Sequence, residues 1–390
     1  MTLRSPITLL AIGHACVDVF QGAVAALVPF FVAERHYSYA LAAGIVLAAS
    51  LLSSVAQPLF GLLTDRRALP WLLPAATILS GLGIGLSGLA HDYALTLVFV
   101  AVSGLGVAAY HPESARLVRV ASRGSHVGMA WFATGGNVGF ALAPLLVGST
   151  VGALGLSWTP VVALPALVGA SLAVPVLRML ARRGDTAEAA DSARMTDDVR
   201  SFLRLTVVIM TRSIAFVGLG AFIASHAEQR LPGWPGVGTI ALTILYLGGI
   251  VGSVLGGYFA RRWGRVGVSA VSNLVTLVAI AGVVWVPGPA LLVFAAATSI
   301  GLYVPFSLQV TLGQDYLPSR VGTASGITLG LAVSVGGVAT PLIGVLADAA
   351  GLQLALATLV TMPVLGFAVL CTLRDPARRP VTEEATAVAA

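Results

Sequence analysis

Hydrophobic runs long enough to cross a bilayer alternate with short polar punctuation along the whole chain. A membrane-spanning helix needs about 20 apolar residues. Such runs lie near residues 6–33, 39–63, 71–90, 93–115, 126–150 and 158–179, and again near 202–225, 238–260, 266–286, 289–313, 321–347 and 352–373. The pattern predicts an all-α integral membrane protein of twelve transmembrane helices in two six-helix sets. One long polar stretch, Arg178 to Arg204, separates the sets. The expected organisation is an N-terminal bundle over 1–180, a linker loop over 181–200, a C-terminal bundle over 201–375 and a tail over 376–390.

The two sets read as copies. Gly139 and Pro144 close a glycine-rich run in the fifth segment, and Gly336 and Pro341 do so in the eleventh, 197 residues later (341 less 144). Gly61-Leu-Leu-Thr-Asp65-Arg66 is matched by Gly257-Tyr-Phe-Ala-Arg261-Arg262 at an offset of 196 (257 less 61). Two unrelated motifs recurring at nearly one offset argue for an internal duplication, which in an apolar chain is a signature of secondary transporters. The plainer explanation is that Gly and Pro are common in membrane helices.

Composition agrees with a membrane protein. The chain has 57% hydrophobic and 10% charged residues and a mean hydropathy of +0.94. Its net charge of +6, carried by 22 arginines without a lysine, would suggest nucleic acid in a soluble protein. Here the arginines sit between spans, so no nucleic-acid partner is expected. Cys16 and Cys371 lie in opposite halves, and neither a disulfide framework nor a metal-ligand cluster follows from them. The first hydrophobic run is too long for a signal-peptide core and reads as a retained span.

Arginine also sets the orientation. Arg4, Arg66, Arg67, Arg116, Arg119, Arg123, the central cluster, Arg261, Arg262, Arg265, Arg320 and the tail arginines fall on one side, whereas the other holds only Arg35 and Arg230. Cationic loops resist translocation, so both termini and the central loop are expected to be cytoplasmic.

Ionisable side chains inside a span are costly and by default face a protein interior or a water-filled cavity. His14, Asp18 and Gln21 recur at i, i+4 and i+7 and share one helical face. At 1.5 Å per residue Asp18 lies roughly 18 Å deep, near the midplane of a ~30 Å core. Asp18 and His14 are therefore candidates for proton coupling and Gln21 for substrate contact; the alternative is a polar helix-packing patch that never titrates. Arg212, at similar depth in the seventh span, cannot shed its charge and needs an anion: Asp18, Glu113 or an anionic substrate. Asn137, in the run Gly135-Gly136-Asn137-Val-Gly139, either binds substrate or bonds a neighbouring helix.

The densest polar cluster, Tyr110-His111-Pro112-Glu113-Ser114-Ala115-Arg116, closes span four. His111, Glu113 and Arg116 are candidates for an inner gate with Asp65 and Arg66 of the next loop, or simply a solvated helix end. A proton relay through His111 and Glu113 is a further option. Gly139, Pro144, Gly336 and Pro341 are candidates for close helix packing. No phosphate-cradling loop, zinc motif or nucleophile elbow is present, so no catalytic residue, cofactor or metal is expected.

At these residues the chain resembles the major facilitator superfamily. Gly61-xxx-Asp65-Arg66 is similar to its loop motif between spans two and three, and Gly139-xxx-Ala143-Pro144 to the fifth-span motif of its proton-coupled antiporters. A narrower set resembles the fosmidomycin-resistance branch: His14-xxx-Asp18-xx-Gln21, Gln57-Pro58, Pro70-Trp71, His111-Pro112-Glu113-Ser114-x-Arg116, His126-x-Gly128, Gly135-Gly136-Asn137-x-Gly139 and Gln314-Asp315-x-Leu317-Pro318-x-Arg320-x-Gly322. The resemblance implies a proton-driven drug exporter of the bacterial inner membrane that acts on a small anionic phosphonate, for which Arg212 and Arg116 are suited. The expected partners are the lipid bilayer, protons and the small-molecule substrate, and the expected state is a monomer. A symporter or facilitator for an organic anion is the alternative transporter; a membrane-embedded enzyme or a transporter-like sensor is the alternative from another class.

Overall fold

The structure is a computed structural model and describes residues 5–66, 69–122, 126–181, 197–318 and 321–376. Among these residues every regular element is helical: α1 (Pro6–Arg35), α2 (Tyr39–Arg66), α3 (Leu72–Ser87), α4 (Tyr93–Ala121), α5 (His126–Leu154), α6 (Thr159–Val162), α7 (Leu164–Ala181), α8 (Val199–Arg230), α9 (Val237–Trp263), α10 (Arg265–Trp285), α11 (Ala290–Tyr316), α12 (Val321–Ala350), α13 (Leu352–Ala357) and α14 (Thr361–Leu370). The linker expected over 181–200 falls mostly outside the described residues, at 182–196, and the tail does so from 377 onward.

Twelve spans emerge close to the hydrophobic runs. Ten are long and apolar enough to cross a bilayer, and α9 is an eleventh once its two segments, bent 49° between Gly252 and Leu255, count together. The twelfth, α3, has 16 residues and is short for a span. Two spans that the sequence reads as single helices are broken. The sixth is interrupted at Ala163, between α6 and α7, and the twelfth by a 3-10 turn at Thr358–Val360 that divides α13 from α14. Large apolar side chains such as Leu59, Val278, Val293 and Leu342 are exposed on the outside of the bundle, as a protein solvated by acyl chains requires.

Helix starts follow local chemistry. Ser5 caps α1 by accepting from the Thr8 N–H at 3.2 Å, with Pro6 as the first helical residue, and Asp198 caps α8 by accepting from the Ser201 N–H at 3.0 Å.

The first seven helices pack chiefly on one another, as do the last seven, and each set repeats the other's contacts. The arginine that ends α1, Arg35, donates to the Gly88 carbonyl beyond α3 at 2.9 Å; the arginine that ends α8, Arg230, donates to the Trp285 carbonyl ending α10 at 3.2 Å. Gly139 lets α5 close onto the Ala15 carbonyl of α1, and Gly336 lets α12 close onto the Ser213 carbonyl of α8. Such approaches require the absence of a Cβ.

The two sets meet through α2 with α12 and α5 with α9. The described contacts run from the arginine-poor face, where Gly148 packs on Thr239 and Gly344 on Tyr39, to mid-helix, where Gly337 packs on Ser50 and Phe140 stands edge-on to Tyr246 with centroids 5.4 Å apart. Just beyond, a cavity of ≈ 50 Å³ between the sets is lined by Phe20, Gln21, Ser50, Ser103, Phe216 and Tyr246 among others.

Candidate functional site

Three side chains converge at mid-depth in the first set. His14 Nε2 lies 3.2 Å from Asp18 Oδ2, one turn along α1, and His111 Nε2 of α4 lies 3.2 Å from Asp18 Oδ1. The two Nε2 atoms are themselves 3.2 Å apart. His14 and Asp18 are buried, whereas the His111 side chain is 22% exposed and forms the open side.

The backbone settles which ring nitrogens carry hydrogen. His14 Nδ1 is 2.8 Å from the Phe132 carbonyl oxygen and His111 Nδ1 is 2.8 Å from that of Val107. A carbonyl only accepts, so both Nδ1 atoms donate. In neutral imidazoles both Nε2 atoms then present lone pairs, to each other and to a carboxylate. Nothing would bond the three groups together unless a cation sits among them. One proton suffices: an imidazolium beside a neutral imidazole and Asp18 makes a cluster of net charge zero. Asp18 Oδ1 lies 3.2 Å from His111 Nε2 and accepts a hydrogen bond only when that nitrogen carries a hydrogen.

Neighbouring residues hold this arrangement. Phe132 stacks on His14 with ring centroids 4.0 Å apart and planes at 13°. Gly136 faces the cluster, and a Cβ there would lie 2.5 Å from Asp18 Oδ2 and 2.6 Å from His14 Cε1. In the Gly135-Gly136-Asn137-Val-Gly139 run the glycines divide the work, Gly135 and Gly139 admitting the α1 backbone at Ala11 and Ala15 while Gly136 leaves room for the charged groups.

Arg212 occupies the matching depth on α8. It donates from Nε to Gln309 Oε1 at 3.0 Å and from Nη1 to the Leu302 carbonyl at 3.4 Å, and its guanidinium lies 4.9 Å from the centroid of the Phe306 ring. Because Arg212 can only donate, the Gln309 oxygen must face it and the Gln309 amide nitrogen points elsewhere, buried and without a partner. Among the described residues Arg212 forms no ion pair with a carboxylate. Of its expected partners, Asp18 is engaged by the two histidines and Glu113 by Arg116.

Glu113 is fully buried and grips Arg116 through two bonds, 2.9 Å from Nε to Oε2 and 2.5 Å from Nη2 to Oε1. His111, expected beside them, is turned away toward Asp18. Asn137 donates from Nδ2 to the Gly249 carbonyl at 3.1 Å, across the seam between the sets, close to the bend in α9. Kinks commonly occur where a side chain competes for a helix carbonyl. Gln21 lines the cavity at the seam. Asp65 and Arg66 end α2, but their side chains lie outside the described residues, as does that of His126. The sequence suggested no metal-ligand set; the fold assembles one of that composition, since donor atoms of His14, Asp18 and His111 lie within 4.8 Å of one another. Residues 97 and 93 positions apart along the chain leave no spacing from which this set can be read.

A duplicated bundle of membrane-length helices with opposite charges at mid-depth on the first helix of each set is a secondary-transporter architecture. The chain belongs to the major facilitator superfamily, whose sequence pattern matches residues 10–341. It is 30% identical over 386 residues to an uncharacterized MFS-type transporter, YfnC, of Bacillus subtilis, covering 94% of this chain and 92% of that one. It is 25% identical over 377 residues to the fosmidomycin resistance protein of Escherichia coli, covering 92% and 90%. Among solved structures, a bacterial homologue of the human lysosomal transporter Spinster, inward-facing and occupied, aligns with a TM-score of 0.75 at 14% identity over 94% of this chain and 95% of that one. The nucleoside transporter NupG aligns with a TM-score of 0.74 at 12% identity over 96% and 100%. At such identities these likenesses speak to the fold alone. The chain is thus a multi-pass membrane transporter by its helices and its family.

Proposed function

We propose that the protein is a proton-coupled antiporter that exports a small anionic compound of the fosmidomycin kind by alternating access. It works as a monomer in a bacterial inner membrane, with both termini and the central loop cytoplasmic. The two six-helix bundles, 1–180 and 201–375, rock about the seam formed by α2, α5, α9 and α12. The observation that carries this reading is the uneven treatment of the two buried charges. Asp18 is surrounded by two imidazoles that need a shared proton, while Arg212 is left for an anion that the described protein does not supply. The likeness to a fosmidomycin resistance protein supports the substrate class.

The energetics suit export. An anion leaving and a proton entering both move charge with an inside-negative potential. Each charge crossing 100 mV contributes about 2.3 kcal/mol, or roughly fifty-fold in gradient. In symport of one proton with one monoanion the two charges cancel and the potential does no work.

The test uses everted vesicles with an acidic lumen, a lumenal pH dye and a phosphonate added outside. Antiport drives the phosphonate inward as protons leave, so the lumen becomes more alkaline, and a more positive lumen speeds the exchange. Lumenal acidification would establish symport instead, and substrate flux without a pH change would establish a facilitator.

A further inference from the structure

The cluster that seats one proton has the dimensions of a metal site. With metal–ligand bonds of ~2.0–2.1 Å, two ligands at tetrahedral positions stand about 3.3 Å apart. His14 Nε2 and His111 Nε2 are 3.2 Å apart, and each stands 3.2 Å from a different oxygen of Asp18, Oδ2 and Oδ1 respectively, so the carboxylate would present both oxygens to one ion. Both imidazoles are also in the tautomer a metal requires, with Nε2 free to ligate and Nδ1–H held by the carbonyls of Phe132 and Val107. Outer hydrogen bonds of that type fix ring orientation in metal sites and raise ligand basicity. With the proton gone from His111 Nε2, the buried Asp18 Oδ1 has no donor and is an acceptor that an ion would use. The exposed edge of His111 offers a way in.

We propose that His14, Asp18 and His111 bind one divalent transition-metal ion of the zinc class, and that the bound ion clamps α1 to α4 and arrests transport. Two imidazoles and a carboxylate favour zinc, cobalt or nickel over calcium and magnesium, which call for six or more oxygen ligands. The ion and the proton take the same seat, but metal binding holds whether or not the proton drives transport.

The experiment titrates Zn2+ into the purified full-length protein in detergent by calorimetry, without any gradient, and repeats the titration with Co2+ while recording its visible absorption. One ion per chain is expected, with the intense absorption of four-coordinate Co2+. Asp18→Asn, His14→Gln and His111→Gln should each weaken binding at least ten-fold. A triple His36→Gln, His91→Gln, His126→Gln variant, which removes histidines outside the cluster, should bind as the wild type does. Binding lost in that triple variant, or retained in all three cluster variants, overturns the proposal. Where a cluster variant aggregates, the wild-type Co2+ spectrum decides, because weak six-coordinate absorption is incompatible with the site. Micromolar Zn2+ applied from the side on which His111 is reached should halt substrate flux in vesicles, and undiminished flux at saturating Zn2+ overturns the clamp. Absence of binding leaves proton-driven transport, measured separately in vesicles, unaffected.

Discussion

The carboxylate of Asp348, near the end of α12, accepts the backbone N–H of Tyr39 at 2.8 Å through Oδ1, and that of Ala40 at 2.9 Å through Oδ2. A side chain of one half thereby caps the first helical turn of α2 in the other, where free N–H groups and the helix dipole favour an anion. Gln229 adds a bond from its amide to the Tyr39 hydroxyl at 2.7 Å. The seam on the arginine-poor face is thus latched by a helix cap that must break whenever that face opens.

Asp348→Ala should shift the equilibrium toward the conformer open on that face by about five-fold, the factor equivalent to a typical capping bond. Ser50→Cys, placed where Gly337 closes on α2, reports the opening in a background lacking Cys16 and Cys371. Maleimide labelling of that cysteine should speed up in the Asp348→Ala protein. Equal labelling rates in the two proteins would mean that the cap is incidental to closure.

Asp18→Asn should abolish gradient-driven export and spare substrate exchange. An asparagine amide can donate to an imidazole lone pair, so the cluster becomes satisfied without a proton and behaves as though permanently loaded. Counterflow of labelled substrate in vesicles with no pH difference should continue within a few-fold of the wild type. Full gradient-dependent export by this variant would remove Asp18 from the mechanism.

The spans were legible because a bilayer imposes one strong pattern, an apolar run of fixed length. The breaks at Ala163 and Thr358–Val360 were not, since a turn among apolar residues leaves the hydropathy unchanged. Within α4 the sequence grouped His111 with Glu113, yet residues two apart on a 3.6-residue turn point to nearly opposite sides. Glu113 and Arg116, three apart, do share a side, and their pairing was readable. Gln309 and Asp348 carried no local signal, one an amide within an apolar stretch of its helix and the other a lone acid at a helix end. Their partners lie 97 and 309 residues away.

Arg212→Lys keeps the charge but loses the planar fork that bonds Gln309 and that, in the proposed mode, would also meet the oxygens of an anionic substrate. Bonds between charged groups contribute about 1.5–3 kcal/mol, so KM for an anionic phosphonate should rise roughly ten- to hundred-fold. Gln309→Leu, which frees the guanidinium from its tether, should raise KM less. An unchanged phosphonate KM in Arg212→Gln would show that the guanidinium serves only the fold.

Alanine at two glycines of the same run should separate coupling from packing. Gly139→Ala drives a methyl group into the Ala15 carbonyl oxygen, and backbone there cannot step aside. Overpacking of this type costs about 1–3 kcal/mol, so the detergent-solubilised protein should melt several degrees lower, by roughly the shift such a loss produces. In Gly136→Ala the nearest atoms to the new methyl group belong to the Asp18 and His14 side chains rather than to backbone, so the cluster, not the helix packing, takes the displacement. That variant should fold and melt as the wild type does while its export loses dependence on the pH gradient. A Tm loss as large in Gly136→Ala as in Gly139→Ala would contradict the division of labour.

The Glu113–Arg116 pair gives an asymmetric prediction. Glu113 is fully buried and Arg116 is 30% exposed, so the two partners do not suffer equally when left alone. Arg116→Ala strands a carboxylate in the protein interior, a loss that costs about 3–5 kcal/mol when nothing replaces the partner. Glu113→Gln leaves an arginine that can turn toward water and keeps an amide oxygen for it to bond. Thermal melts in detergent should therefore rank the wild type first, Glu113→Gln next and Arg116→Ala last. Because the penalty in Arg116→Ala comes from the stranded charge, adding Glu113→Gln to it should recover stability, and the double variant should melt above Arg116→Ala. A double variant no better than Arg116→Ala would place the loss in the packing of the arginine's methylene stem rather than in its charge.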